Sequence, residues 1–242
     1  MATPRFFVST PLTAHSRLDL PEAAAHHAAR VLRLRVGDDV VLFDGRGGEY
    51  AATITALGKH DVSVETGSHQ SIERESSLDV TLVQAISSGE RMDLTVQKAV
   101  ELGVARIVPV ESERCVVRLK GERAEKRVAH WRQIVQSACE QCGRNRVPEV
   151  VEISSLDHWL AVPGHTQRWL LEPEAAKPLR ELSRPDRPVE ILVGPEGGLT
   201  EAEIATATRA GFEPVRLGPR VLRTETAAPA LLAAMQALWG DF

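Results

Sequence analysis

The sequence predicts an α/β chain in two parts: a small β-rich N-terminal domain and a larger C-terminal domain built on a parallel sheet. Three observations predict it. Between residues 39 and 65, short β-like runs are separated by tight polar turns, the pattern of a small barrel. From residue 78 onward, apolar runs too continuous for a half-exposed strand alternate with segments of helical period, as strands covered on both faces by helices require. Between the two lies 70–77, polar, charged and without apolar period, which reads as a linker. The domains are therefore placed at 1–72 and 73–242.

Taken in order, the chain opens on the cluster Phe6, Phe7 and Val8, too short for the hydrophobic core of a signal peptide. No apolar run approaches the roughly 20 residues of a membrane span, so a cytoplasmic protein without membrane contact is expected. Three cysteines are an odd, sparse number that does not make a disulfide framework. Segment 21–34 opens on Pro21, is filled with alanine and ends on Val31, Leu32 and Leu34, which predicts a helix. Strands follow at 39–43, 49–57 and 61–65. Their hairpin connections are Asp44-Gly45-Arg46-Gly47-Gly48 and Gly58-Lys59-His60.

In the second part the spacing predicts strands at 78–86, 105–110, 149–153, 168–171, 189–193 and 215–217. Helices are expected at 92–102, closed by Gly103, and at 122–141, 155–160, 201–210 and 227–239. With Thr226 as N-cap, Pro229 falls at the third helical position, where a missing N–H costs little.

Net charge is −4, which excludes a bulk-charge nucleic-acid binder. Yet 112–146 holds nine Lys/Arg against four Glu, either a solvated helix face or a phosphate-binding surface. Arg144 and Arg146, just after the basic helix, are the best phosphate contacts there. The stretch to residue 75 has eight Lys/Arg against ten Asp/Glu; RNA binding there would rest on shape and on Arg30, Arg33 and Arg35. Lys98 and Glu101 form a helix-surface ion pair by spacing. Cys139 and Cys142 lack a second ligand pair, so no metal site is expected.

The strongest local signal is the apolar strand that runs into Gly194-Pro195-Glu196-Gly197-Gly198-Leu199 and then Thr200 and Glu203. Glycines after a strand let a backbone approach a ligand and aim N–H groups at it, and Thr200 with Glu203 is a capping box. Neither a dinucleotide fingerprint nor a triphosphate loop is present. The next strand leads into Leu217-Gly218-Pro219-Arg220-Val221-Leu222-Arg223-Thr224-Glu225-Thr226-Ala227-Ala228, and a third strand ends at Leu171-Glu172-Pro173. Ligands of open α/β sheets sit at such carboxyl ends.

These loops, together with Pro173-Glu174-Ala175, 97–103 and 141–148, resemble the RsmE family of SPOUT-class methyltransferases, which act on N3 of a uridine in bacterial 16S rRNA. Arg5-Phe6-Phe7-Val8 and His27 with Val31-Leu32-Arg33 look like the same family's opening. The resemblance covers nearly the whole chain. Two positions depart: Glu172 stands where the family often has His, and Pro229 interrupts an Ala/Leu-rich stretch.

The resemblance implies a deep trefoil knot in the C-terminal domain, an exception to the rule against knots, and a PUA-like RNA-binding N-terminal barrel. It implies a homodimer and S-adenosyl-L-methionine as cofactor. The cofactor would be held by Leu171 and Glu172, by Gly194, Pro195, Glu196, Gly197 and Gly198, and by Leu217, Gly218, Leu222, Thr224 and Ala227. The partner would be 16S rRNA in the 30S ribosomal subunit, with Arg5, Arg30, Arg33, Arg35, Arg144 and Arg146 as RNA contacts. Methylating N3 requires loss of its proton, so a cation should stabilise the uracil anion: Arg223 first, then Arg220. Glu225 is either the proton acceptor, weakened by neighbouring arginines, or a residue that orients Arg223. Glu196 is either a contact to the cofactor's positive groups or an exposed turn carboxylate. A SPOUT enzyme acting on another RNA and a catalytically silent RNA-binding ribosome-assembly protein remain the alternatives.

Overall fold

The structure is a computed structural model that describes residues 3–59 and 61–242. Met1 and Ala2, and His60 of the expected hairpin connection, lie outside the described residues. The chain forms two compact units: Met1–Glu75 with Cys139–Val147, and Ser76–Ala138 with Pro148–Phe242.

In the first unit, β3 (Asp39–Phe43), β4 (Glu49–Leu57) and β5 (Val62–Gln70) form the expected antiparallel meander. Two three-residue strands, too short to show a period, complete the sheet: β1 (Arg5–Phe7) beside β3 and β2 (Arg17–Asp19) beside β5, in the order β1-β3-β4-β5-β2. Alternate residues Val40, Leu42, Ala52, Ile54, Val62 and Val64 turn inward and pack with Phe6, Val8, Leu20 and Ala28. The expected linker is shorter than its composition implied, because Gln70 still pairs with Glu49.

The expected helix at 21–34 is only partly α-helical. α1 (Glu22–His26) widens into a π turn over His27–Val31, where the Leu32 N–H reaches the His27 carbonyl at 2.9 Å. Arg33 then takes a left-handed backbone (φ 55°) that ends the helix before Leu34. His27 packs edge-on against Phe6.

Residues 139–147 are tied into this unit by a polar clasp. Asn145 accepts from Arg5 at 2.5 Å and donates to Glu49 at 3.1 Å and to the Ile72 carbonyl at 2.6 Å. Arg5 also pairs with Glu49 at 2.6 Å, and Arg144 with Glu75 at 2.5 Å. The Arg144 side chain is 5% exposed. The guanidinium of Arg144, which the sequence offered as a phosphate contact, is thus held by Glu75 within this unit. Arg5 is engaged the same way. Burial alone raises the Glu49 carboxyl, but the donors Arg5 and Asn145 and the charges of Arg5 and Arg74 outweigh it and lower the group. Cys139 is buried, which pushes its thiol up to about 12 and makes it a packing residue.

The second unit is a parallel sheet in the order β12-β10-β11-β6-β7-β8. In chain order the strands are β6 (Val80–Ala85), β7 (Arg106–Glu111), β8 (Glu149–Val150), β10 (Gln167–Leu171), β11 (Val189–Val193) and β12 (Glu213–Val215). The expected strand at 149–153 is shortened to Glu149–Val150 (β8), and a separate two-residue β9 (Ser154–Ser155) follows it; both pair with β7. Every residue of β11 is buried, which is why its sequence is uninterrupted apolar apart from Glu190, whose carboxylate lies 3.2 Å from Arg168. β12 starts two residues earlier than expected. It is an edge strand, where Pro214 removes no ladder bond the sheet needs.

The helices are α2 (Glu90–Glu101), α3 (Glu122–Cys142), α4 (Leu156–Leu160), α5 (Glu201–Arg209) and α6 (Thr224–Trp239). Lys98 and Glu101 pair at 2.9 Å. Gly103 ends α2 at φ 83°, and a Cβ there would meet Gln236 of α6, whose amide donates to the Leu102 carbonyl at 2.9 Å. α6 begins earlier than expected: Arg223, not Thr226, is its N-cap, so Pro229 is the sixth helical residue. Pro229 thus lies in the interior and offers no N–H to the Glu225 carbonyl. Among the described residues no helix is long and apolar enough to cross a membrane.

Candidate functional site

The sheet of the second unit brings β10, β11 and β12 side by side, so their carboxyl ends open on one place. A cavity of about 250 Å³ lies there. Leu171 and Glu172 line it from the end of β10, and Gly194, Pro195, Glu196 and Gly198 from the turn after β11. Leu217, Gly218 and Leu222 reach it from the segment after β12, with Thr224 and Ala227 from the first turns of α6. Arg220, Arg223 and Glu225 lie on the same wall. Gly197 does not face the cavity: its carbonyl is gripped from behind by Arg114 at 3.0 Å, and the same guanidinium reaches the Leu199 carbonyl at 3.3 Å.

Local chemistry shapes each wall. The capping box forms as expected: the Thr200 hydroxyl accepts from the Glu203 N–H at 3.2 Å, and Glu203 accepts from the Thr200 N–H at 2.8 Å. It starts α5 directly after the glycine turn that lines the cavity. A Cβ on Gly194 would come within 3.2 Å of the Leu199 nitrogen, so the turn closes most tightly with glycine there and any side chain makes it open by a few tenths of an ångström. A Cβ on Gly218 would meet nothing within 4 Å; that glycine faces open space, room that a ligand can occupy. The Thr224 hydroxyl donates to the Gly194 carbonyl at 2.8 Å and accepts from buried Gln84 at 3.1 Å, joining α6 to the end of β11.

The charges divide sharply. Glu196 is not an idle turn carboxylate: its Oε1 accepts from the Ser88 N–H at 2.8 Å, the Ser88 hydroxyl at 2.7 Å and Arg91 at 3.0 Å. Burial alone raises this carboxyl, but those donors outweigh it and bring the group down to about 2. Arg91 also approaches Glu225 at 3.8 Å. Glu225 therefore takes Arg91 as its ion-pair partner, not Arg223 as one sequence reading had it. Among the described residues Arg220 and Arg223 have no side-chain partner, and both are exposed at the mouth. Ser88, Arg91 and Arg114 were missed in the sequence; Arg91 opens α2 far from the glycine loops in the chain, and only the sheet order joins them.

In the first unit Arg30, Arg33 and Arg35 are exposed, without a side-chain partner among the described residues. Arg146 is exposed and lies 3.7 Å from Glu73.

Comparison with known proteins separates an N-terminal and a C-terminal part, with 139–147 counted in the latter. Residues 74–236 match the RNA methyltransferase domain family, and residues 20–66 match the RNA methyltransferase PUA domain family. A ribosomal RNA small subunit methyltransferase E from Buchnera aphidicola is 34% identical over 239 residues, covering 98% of this chain and 97% of that one. The chain belongs to the RsmE family. Another family member, from Neisseria gonorrhoeae and solved bound to S-adenosylmethionine, is 45% identical, covers 100% of both chains and superposes with a TM-score of 0.93. A Legionella pneumophila protein solved with bound S-adenosylmethionine is 39% identical over 100% of both chains, with a TM-score of 0.96. The family's fold, a PUA-like domain joined to a methyltransferase domain with a parallel sheet, is the fold of this chain.

Proposed function

We propose that the chain binds S-adenosylmethionine in the cavity at the ends of β10, β11 and β12 and methylates N3 of a uridine in 16S rRNA of the small ribosomal subunit. The observation that carries this reading is the pair of guanidiniums, Arg220 and Arg223, without a side-chain partner among the described residues, on the wall of a cavity lined by glycine turns. The fit to the cofactor rests on the open space over Gly218, the apolar lining from Leu171, Leu217 and Leu222, and the backbone of 194–198. When bound, S-adenosylmethionine supplies a sulfonium-activated methyl group.

The protein's own task is to make N3 a nucleophile. The N3 proton must leave before its lone pair can bond to the methyl carbon. Arg223, capping α6 at the mouth, holds the negative oxygens of the uracil anion, and Arg220 provides a second cation or grips a phosphate. The exposed mouth lets the proton leave to solvent. Glu225, already engaged by Arg91, serves as a charge partner and not as the proton acceptor.

The knot belongs to this reading. Arg216 pairs with the connection between β10 and β11, its N–H bonding the Lys177 carbonyl at 3.0 Å and its carbonyl accepting from Leu179 at 2.9 Å. These bonds support a C-terminal segment threaded through 172–188. A cytoplasmic homodimer acting on assembled 30S particles completes the proposal, with Arg30, Arg33, Arg35 and Arg146 as further RNA contacts. The test is direct: titration calorimetry with S-adenosylmethionine, then methyl transfer to 30S particles and to protein-free 16S rRNA, with the product nucleoside identified by mass spectrometry. Absence of 3-methyluridine, or a methyl group on another base, sinks the assignment.

A further inference from the structure

Arg91 carries a consequence beyond that reading. Its guanidinium stands between two carboxylates of the cavity, 3.0 Å from Glu196 Oε1 and 3.8 Å from Glu225 Oε1. The two carboxylates are not equivalent. Glu196 is pinned by both the N–H and the hydroxyl of Ser88, so it keeps its place whether or not Arg91 is present. Glu225 has no ion pair besides Arg91 among the described residues. It sits in the first turn of α6, two residues after Arg223, on the same cavity wall as Arg220 and Arg223. A largely buried carboxylate stripped of its cation, on a cavity lined by two guanidiniums that have no side-chain partner among the described residues, takes one of them as its new partner.

We propose that Arg91 is a positioning residue: anchored on Glu196, it sequesters the Glu225 carboxylate and thereby leaves Arg220 and Arg223 free for the substrate's anionic groups. This rests on the reading of Arg220 and Arg223 as substrate cations, and it adds the reason that they are free in a cavity that also holds two carboxylates. Arg91 acts through Glu225 and need not touch RNA itself.

The distinguishing experiment is suppression. Arg91→Met leaves Glu225 to capture a guanidinium; Arg91→Met with Glu225→Gln removes the captor as well. Binding of fluorescently labelled 16S rRNA is measured against salt concentration with cofactor-free protein. Arg91→Met is expected to weaken binding by about tenfold and to lower the salt slope by roughly one phosphate contact. The double variant is expected to regain most of both. Arg91→Lys, which keeps the charge, stays close to the parent protein. Calorimetry with S-adenosylmethionine should show cofactor affinity unchanged in all three.

A double variant as weak as Arg91→Met overturns the proposal, because Arg91 would then act without Glu225. So does a parallel loss of cofactor affinity, which would make Arg91 a cofactor contact. Methyl transfer is scored separately. Suppression in RNA binding without methyl transfer by the parent protein supports the role of Arg91 and sinks the functional reading; normal methyl transfer without suppression does the reverse.

Discussion

Two clusters of arginine and carboxylate in this chain use the same residue types to opposite ends. In the clasp of the first unit, Arg5 and Arg144 are nearly inaccessible and each is matched to a carboxylate, with Asn145 bridging Arg5 and Glu49. At the cavity of the second unit, one arginine is matched to two carboxylates and two more have no side-chain partner among the described residues. In the clasp, charge has been consumed in holding the chain together. At the cavity it has been kept in reserve. What separates a structural arginine from a functional one here is the bookkeeping of partners, not the residue or its neighbours in sequence.

The largest expected effect breaks the reserve side. Arg223→Ala should lower methyl transfer by about a hundredfold or more, the usual cost of one charge-stabilising donor, while cofactor affinity and thermal melting stay near the parent values. Undiminished turnover would strip Arg223 of its role. The matching test on the clasp should instead be read in stability. Glu75→Ala takes from Arg144 the carboxylate 2.5 Å away in a side chain that is 5% exposed. Urea unfolding should show a loss of about 3 kcal/mol. A loss below about 1 kcal/mol, as at exposed ion pairs, would mean the clasp is dispensable.

A smaller effect is expected at the backbone that faces the reserve cluster. Gly194→Ala places a methyl 3.2 Å from the Leu199 nitrogen and 3.3 Å from the Gly198 carbonyl carbon, so the turn must open slightly. S-adenosylmethionine affinity should fall by about tenfold, with the fold intact by circular dichroism. Gly218→Ala, where nothing lies within 4 Å, should leave stability unchanged and cut cofactor affinity only if the ligand fills that space.

Much of this was readable in the chain. The apolar run of β11, broken only by Glu190, and the glycine turn after it, with Thr200 and Glu203 as a cap, give strand, loop and helix almost to the residue, because each signal is local. Elements fixed by tertiary contact were harder. β1 and β2 are three residues each and exist only because β3 and β5 offer edges. The start of α6 moved from Ala227 to Thr224 because Thr224 is held by Gly194 and Gln84, residues distant in sequence. Arg91 could not be found at all, since its meaning comes from β6 lying next to β11. The burial of Arg144 was illegible for the opposite reason: a basic residue after a basic helix reads as surface until Glu75 is seen against it.

The smallest effects sharpen the comparison within the reserve class itself. Glu196, held near 2, contributes stability that is fully present above its ordinary value of 4.5 and is lost as pH falls toward 2. The melting difference between the parent and Glu196→Gln should therefore be greatest above pH 4.5 and shrink steadily below it; a constant difference would show that hydrogen bonding alone, not ionisation, holds the turn. Arg33, free and exposed on a left-handed backbone, sits outside the cavity. If it reads phosphate only, Arg33→Ala should lower 16S rRNA affinity a few-fold, reduce the salt slope by about one contact and leave turnover at saturating RNA unchanged. A fall in saturated turnover would place Arg33 among the groups that act on the reacting base, and the division between cations that hold RNA and cations that serve the reaction would have to be redrawn.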